Sequence, residues 1–440
     1  MTLAALRKKI EQKEARLTVI GLGYVGLPVA CSFAKAGFDV RGIDIQQDRI
    51  DKINAGISPI EGNEPGLAEL LAEVIKAGEL SASANYDLLR DRDVVLISVE
   101  TPVDAMNKPR YEALRASLKS LGKALKAGAL VIVESTIAPG TMDKLVAPLL
   151  EESSGKKLNS SFFLGNCPER VMPGKLLHNL TQLSRVVGGM TQETAQVMVA
   201  LYRHIIPEAD LDPTDCVTAE LVKTAENAYR DVQIAFANEV ALISEAVGGD
   251  VWKVRELVNK SPGRHMLMPG AGVGGHCIPK DPWLLAYGAN GSNTPLHLIP
   301  AARAVNDAMP GHIVDLLRKA LGKLKGARIL VMGYAYLEDS DDTRNSPSEI
   351  LVNQLKKAGA KAIIHDPFVS EYEGDLFEMA RGCDAAVLMV KHSTYSELDL
   401  RKLASALKGS LLIDGRGFYS REKAEAAGLR YLGVGMSDRG

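Results

Sequence analysis

The 440-residue sequence predicts an α/β protein of two doubly wound domains joined by a central helical domain with a long spine helix. Three observations carry this reading. Short apolar runs alternate with helical patterns in the first part of the chain, and the same alternation resumes near Ala327. Between them, apolar residues recur every three or four positions over 214–247. Alternation of the first kind gives a parallel sheet with helices on both faces. The second spacing gives one face of a helix.

The first strands are expected at 17–20, 39–44, 94–99 and 130–133, with helices over 64–77 and 111–127. The spine is marked by Val222, Ala225, Tyr229, Val232, Phe236, Val240 and Ile243, and a further helix by 296–324. The second α/β domain is smaller. Its strands are expected at 328–333, 362–365, 385–390 and 410–413, with a helix over 348–358. The resulting division is 1–205, 206–320 and 321–440. Residues 1–16, rich in charge, are expected to precede the fold, and they lack the apolar core of a signal peptide.

With 52 basic and 54 acidic residues, the net charge of -2 favours neither nucleic acid nor an anionic membrane as partner. An aromatic content of 5% also argues against a stacking platform for single strands. No run approaches the ~18 apolar residues of a membrane helix. The five cysteines are odd in number and match no zinc spacing, so a reduced cytoplasmic setting without a metal is expected.

Gly21-Leu22-Gly23-Tyr24-Val25-Gly26 follows the first strand and opens a helix at 27–36. In a dinucleotide fingerprint one glycine makes the tight turn, one admits the pyrophosphate and one lets helix and strand pack closely. Asp44 ends the second strand, 18 residues after Gly26. A carboxylate there accepts from the ribose hydroxyls of NAD and repels the extra phosphate of NADP. Arg41 and Arg49 are near enough to soften that preference. The first domain is thus expected to be Rossmann-like and to bind NAD.

The chemistry points to the glycine-rich segment 269–281, which delivers Cys277 between His276 and Lys280. Cations beside a thiol lower its pKa and make it nucleophilic. The other four cysteines are expected to be small buried hydrophobes. Asp281, one helical turn after Cys277, is a candidate base or a helix N-terminal acid favoured by the dipole. Lys223 and Asn227 share a helix face, either as donors to a developing alkoxide or as a solvated surface. Glu169, after a strand-like run, is a candidate base at a sheet edge.

These residues, in this order, resemble the UDP-glucose/GDP-mannose dehydrogenase family over nearly the whole chain. The resemblance runs from 21–28 through Glu134-Ser135-Thr136, Cys167-Pro168-Glu169-Arg170 and Lys223…Asn227. It continues through the Cys277 loop to Asp342-Thr343-Arg344 and Asp414-Gly415-Arg416. It implies an NAD-binding domain, a helical dimerisation domain, and a C-terminal domain for the nucleotide of a UDP-sugar. It further implies that Cys277 forms a thiohemiacetal and then a thioester. Asp281 or Glu169 would activate water, Lys223 and Asn227 would stabilise the oxyanion, and Thr136 would hold a bridging water. Gly21, Gly23, Tyr24, Val25, Gly26, Asp44, Arg49, Thr101, Thr136 and Arg344 would contact NAD. Arg170, Lys223, Asn227, Arg264, Gly274, Lys280 and Arg416 would contact substrate.

His276 before the cysteine and Pro-Glu-Arg-Val-Met-Pro-Gly at 168–174 resemble the branch acting on UDP-N-acetylhexosamines, above all UDP-N-acetylmannosamine. UDP-N-acetylglucosamine and UDP-glucose are the alternatives within the family. The second glutamate of the glucose enzymes, four residues after the first, is replaced by Pro173, and the lysine that usually follows Gly333-Tyr334-Ala335-Tyr336 by Leu337-Glu338. Outside the family, a two-electron hydroxyacid dehydrogenase would share the fingerprint and Lys-x3-Asn without needing Cys277. A non-catalytic NAD-binding protein would need none of Cys277, Lys223, Asn227 and Asp281.

Overall fold

The apolar runs form strands because both faces are covered. β1 (Leu17–Ile20), β4 (Val94–Ile97) and β5 (Ala129–Val133) are buried at every residue, as central strands of a parallel sheet must be. The computed structural model of the chain describes residues 1–60, 62 and 64–437. It divides into two compact units, one of residues 1–226 and 283–293 and one of residues 227–282 and 294–440.

The first unit is built on an eight-stranded sheet of order β3-β2-β1-β4-β5-β6-β7-β8. The remaining strands are β2 (Val40–Ile43), β3 (Leu80–Ser83), β6 (Phe162–Asn166), β7 (Arg185–Gly189) and β8 (Leu211–Asp215). Pairing is parallel except between β6 and β7. The chain reverses its direction of travel between β1 and β4, and ligands of open α/β sheets bind beyond the strand ends at such a point. β8 lies at the sheet edge and contains Pro213, a residue an edge tolerates.

Residues 1–16 do not precede the fold; that expectation is corrected. Helix Leu3–Glu11, capped by Thr2, buries Leu6 and Ile10 completely and packs on helix Gln192–Tyr202. One apolar stripe on a nine-residue helix suffices, despite the surrounding charge. Buried Asp93 fixes the end of the segment, accepting from the Arg16 N–H at 3.1 Å and from Lys126 Nζ at 2.7 Å.

The second unit carries a parallel sheet of order β10-β9-β11-β12-β13. Its strands are β9 (Arg328–Met332), β10 (Lys361–His365), β11 (Ala385–Leu388), β12 (Leu411–Asp414) and β13 (Arg430–Gly433). The predicted spine is one helix, Cys216–Val247, and the expected 296–324 helix is Leu298–Leu321.

Within the second unit a buried polar network ties these helices together. Arg303 Nη1 donates to Asp231 Oδ1 at 2.6 Å, and Asn306 Nδ2 donates to the same oxygen at 2.7 Å. Asn238 Nδ2 donates to Asn306 Oδ1 at 2.8 Å. Burial pushes the Asp231 carboxyl upward, and the Arg303 guanidinium opposes this. Removing one partner of a buried pair strands the other charge. Arg303→Met is therefore expected to cost about 3–5 kcal/mol in chemical denaturation, with Asp231→Leu/Arg303→Met recovering most of it. A single variant within about 1 kcal/mol of the parent would show that the pair carries no such weight.

Candidate functional site

In the first unit the three fingerprint glycines do three different things. Gly21 has φ +88°, and a Cβ there would stand 2.5 Å from the Ser98 carbonyl oxygen. A Cβ on Gly26 would stand 1.9 Å from the Gly21 carbonyl oxygen. Around Gly23 there is nothing within 4 Å. Gly21 and Gly26 are thus dictated by the protein's own packing. Gly23 leaves an open backbone beside the start of helix Gly26–Lys35, whose N-cap Val25 makes no side-chain cap. An open backbone at a helix N-terminus suits a pyrophosphate.

Asp44 is buried, as a ribose acceptor at the end of β2 should be. It accepts from the Leu22 N–H at 2.8 Å and the Gln46 N–H at 2.9 Å, and it pairs with Arg49 at 3.1 Å. The acid therefore also shapes the loop that carries Gly23. The Tyr24 hydroxyl donates to Glu64, which also accepts from the Gly174 N–H at 2.8 Å. Thr101 Oγ1 donates to the Thr136 carbonyl at 2.6 Å, joining the loops after β4 and β5. The open glycine, the helix end and the buried acid fit NAD.

Behind these loops lies a cluster that sequence reasoning missed. Glu134 is fully buried and accepts from Tyr202 and Ser98, each at 2.8 Å, with Arg185 at 3.6 Å. Burial pushes its carboxyl upward, and Arg185 opposes this. Glu220 on the spine helix accepts from the N–H groups of Gly140 at 2.6 Å and Met142 at 2.8 Å, fixing the turn that follows Thr136. Burial raises its carboxyl to about 7 against those donors. Its only sequence signal is its place three residues before Lys223. Lys223 itself is buried, which overturns the alternative of a solvated helix face. Glu169 is at the border of burial and accepts from the Val171 N–H. Arg170 pairs with Glu226 at 2.9 Å and donates to the Ser184 carbonyl at 2.9 Å.

The second unit holds the glycine loop. Gly270 is pinned to the spine helix by its N–H to Asn238 Oδ1 at 2.8 Å. Gly274 and Gly275 lie under the Tyr336 side chain, where a Cβ on either would meet it closer than 3.0 Å. Gly275 exchanges hydrogen bonds with Arg344 and Asn345, its N–H donating at 3.0 Å and its carbonyl accepting at 3.1 Å. Cys277 is half-exposed, whereas Cys31, Cys167, Cys216 and Cys383 are buried as expected. Burial drives the Cys31 thiol up to about 12 and that of Cys167 to about 11, which leaves them inert.

The Cys277 carbonyl accepts from the N–H groups of Lys280 and Asp281, at 3.1 and 2.9 Å, so one turn joins thiol and carboxylate. Asp281 is completely buried. It takes Asn227 Nδ2 at 2.6 Å and Lys280 Nζ at 2.8 Å. His276 departs from expectation: burial, then Lys280 and Arg344, lower its pKa, so the ring is neutral and offers the thiol no imidazolium. Arg344 is bound to Asp342, and exposed Arg264 donates to the Pro262 carbonyl at 2.9 Å. Arg416 lies along the glycine loop, donating to the Met389 carbonyl at 2.6 Å and the Gly272 carbonyl at 3.3 Å. Asn227, Lys280, Asp281 and Cys277 thus form one constellation. The fingerprint residues, Thr101, Thr136, Glu169, Arg170 and Lys223 belong to the first unit.

Comparison with known proteins agrees with this anatomy. Residues 15–206 match the NAD binding domain of the UDP-glucose/GDP-mannose dehydrogenase family, 217–308 its central domain and 330–421 its UDP binding domain. A UDP-N-acetyl-D-mannosamine dehydrogenase of Pyrococcus horikoshii is 37% identical over 427 residues, which is 96% of this chain and 100% of that protein. The solved structure of a UDP-D-ManNAc dehydrogenase from the same organism superposes with a TM-score of 0.89 at 36% identity, covering 96% of this chain and 99% of that one. An NDP-N-acetyl-D-galactosaminuronic acid dehydrogenase from Methanosarcina mazei gives 0.86 at 36% identity, covering 99% and 98%. With three matched domains and near full-length relatives, the chain belongs to the UDP-glucose/GDP-mannose dehydrogenase family and is an NAD-dependent oxidoreductase.

Proposed function

We propose that the enzyme oxidises the C6 hydroxyl of UDP-N-acetyl-D-mannosamine to the carboxylate, in two steps joined by a covalent intermediate on Cys277. The observation that carries this reading is the loop that presents the one half-exposed thiol a single turn from a buried carboxylate held by Asn227 and Lys280. A two-electron dehydrogenase needs no such thiol. The sugar is inferred from the Pyrococcus relative.

When bound, NAD supplies the hydride acceptor for both oxidations. Gly21, Gly23, Tyr24, Val25, Gly26, Asp44, Arg49, Thr101 and Arg344 would hold it. Lys223 and Asn227 stabilise the negative oxygen at C6, and Thr136 positions a bridging water. Cys277 Sγ adds to the aldehyde carbon, and loss of hydride from that thiohemiacetal leaves a thioester. Asp281 or Glu169 takes a proton from the water that cleaves the C–S bond, releasing the acid and restoring the thiol. The balance is one alcohol, one water and two NAD consumed, with one carboxylate, two NADH and three protons formed. Splitting one hard oxidation into easier steps is what a nucleophile contributes. Arg170, Arg264, Gly274, Lys280 and Arg416 hold the nucleotide sugar. The domains are read as 1–205, 206–320 and 321–440. The product would serve cell-surface polysaccharide synthesis in the cytoplasm. No described helix is long and apolar enough to cross a membrane.

The spine helix is also read as a homodimer surface. Tyr229, Phe236 and Ile243, spaced at seven, are 65%, 57% and 60% exposed. A seven-residue apolar stripe on an exposed helix face is a seam for a second helix.

Incubation with NAD and, separately, UDP-N-acetylmannosamine, UDP-N-acetylglucosamine and UDP-glucose is expected to give two NADH per N-acetylmannosamine sugar consumed. Cys277→Ala should lower that rate at least ~10³-fold; one NADH per sugar would overturn the thioester route. Gly23→Ala should keep the parent melting temperature while weakening NAD about tenfold, whereas Gly26→Ala should destabilise the fold by about 1–3 kcal/mol. Equal behaviour of the two glycine variants would contradict the cradle. Phe236→Glu is expected to convert a dimer to a monomer by light scattering, and an unchanged mass would place the interface elsewhere.

A further inference from the structure

In the second unit the chain reverses its direction of travel between β9 and β11, so its ligand crevice lies beyond the ends of those strands. A phosphate there cannot be held by the turn after β9. The N–H groups of Tyr334 and Ala335 donate to Asp366 at 2.6 and 2.9 Å, and that of Tyr336 donates to the Asp342 carbonyl at 2.9 Å. The turn that serves as an anion cradle in many α/β folds is spent on the protein itself, so the anion must be met by side chains.

Two cations stand at this edge. Arg416, just after β12, donates only to carbonyls and forms no ion pair among the described residues. A half-buried guanidinium whose side chain meets only carbonyls gains a stronger, charge-assisted contact when an anion arrives. Lys391, three residues beyond β11, has its ammonium 3.5 Å from Glu338 and 3.9 Å from Met268 Sδ, just before the glycine loop. Glu338 comes from the turn after β9, and its charge and that of Asp414 both act on Arg416. Glu338 thus pairs with Lys391, and its charge reaches Arg416. The Glu338–Lys391 pair is part-exposed, and such pairs exchange readily.

We propose that Lys391 binds the diphosphate of the nucleotide sugar together with Arg416, and that Glu338 is its resting counter-ion, displaced when the diphosphate binds. This rests on the nucleotide-sugar reading above. A diphosphate carries more charge than one carboxylate and can engage both cations at once, so the exchange favours substrate. Leu337 and Glu338 stand where a phosphate-binding lysine is expected in the family, and Lys391 restores that charge from the neighbouring strand.

The test is inhibition of NADH formation by UDP and by uridine, with the full-length enzyme and its Lys391→Met, Lys391→Arg and Glu338→Gln variants. Lys391→Met is expected to weaken UDP ~10–50-fold, a range set by losing one charge-assisted contact. It should leave uridine and the NAD KM unchanged, and Lys391→Arg should retain most of the affinity. Glu338→Gln is expected to tighten UDP several-fold. UDP inhibition of Lys391→Met within twofold of the parent would overturn the proposal alone. Equal loss of UDP and uridine would also overturn it, by showing a merely structural role. A parent enzyme that neither binds UDP nor turns over any UDP-sugar would sink the underlying functional reading as well.

Discussion

The chemistry depends on one stripe of the spine helix holding both ends of the glycine loop. Asn227, Asp231 and Asn238 lie four and then seven residues apart, on one face of Cys216–Val247. Asn238 takes the N–H of Gly270 at the loop's start, and Asn227 takes Asp281 at its end. Between them Asp231 collects Arg303 and Asn306 from helix Leu298–Leu321. A loop so rich in glycine loses more freedom on ordering than any other composition would. Its thiol therefore has a defined position only because both ends are clamped to a rigid element. The stripe continues back by one turn to Lys223.

Buried charge is tolerated inside where enough donors converge on it. A buried carboxylate is costly unless several donors meet it. Asp281 is met by an amide and an ammonium, and Asp93 by a backbone N–H and two lysines. Glu220 is met only by neutral backbone donors, and burial prevails there, raising its carboxyl to about 7. As pH rises through the interval from the ordinary carboxylate range to about 7, Glu220 in the fold keeps a proton that the unfolded chain has released. Its contribution to stability is thus present at acid pH and lost toward neutrality. The donors decide the direction: two lysines and a backbone N–H hold Asp93 below the ordinary carboxylate range, whereas neutral donors leave Glu220 above it.

Much of the architecture was legible because parallel strands buried on both faces read as unbroken apolar runs. β1, β5 and the spine helix lie close to where periodicity put them. β3, with Leu-Ser-Ala-Ser, and β8, with Leu-Asp-Pro-Thr-Asp, carry no such run, because an outer strand needs little apolar surface. The N-terminal helix was hidden by its charge, its two anchors Leu6 and Ile10 being too few to outweigh the lysines around them. Of the site, the glycines, Asp44 and the Cys277 loop were visible as motifs, since close approach and nucleophilicity demand particular residue types. Glu220, Asn238 and Arg303 were not, and Glu134 was visible only as part of a motif, without a role. Each acts through a partner distant in sequence, and no local spacing announces a pair that only folding brings together. His276 was misread for the same reason: burial first, then Lys280 and Arg344, the last far along the chain, lower its pKa.

The two sheets make the argument from packing to chemistry in parallel. Both place a left-handed glycine after their first strand, Gly21 at φ +88° and Gly333 at φ +91°. Both place an aspartate after the adjoining strand that folds back onto that turn. The uses diverge by capacity. A carboxylate has about four lone-pair positions. Asp44 receives two backbone N–H groups and Arg49, and keeps room for a ribose hydroxyl. Asp366 receives Tyr334, Ala335, Phe368, Val369 and His392, which together hold its carboxyl at about 2 against burial and leave no acceptor over. The second position of the turn diverges in the same sense. Gly23 is open, whereas Ala335 is buried under its own Cβ. One sheet therefore offers a ligand its backbone and an acid. The other has turned both inward, so whatever anion it receives must be met by side chains from its strand ends.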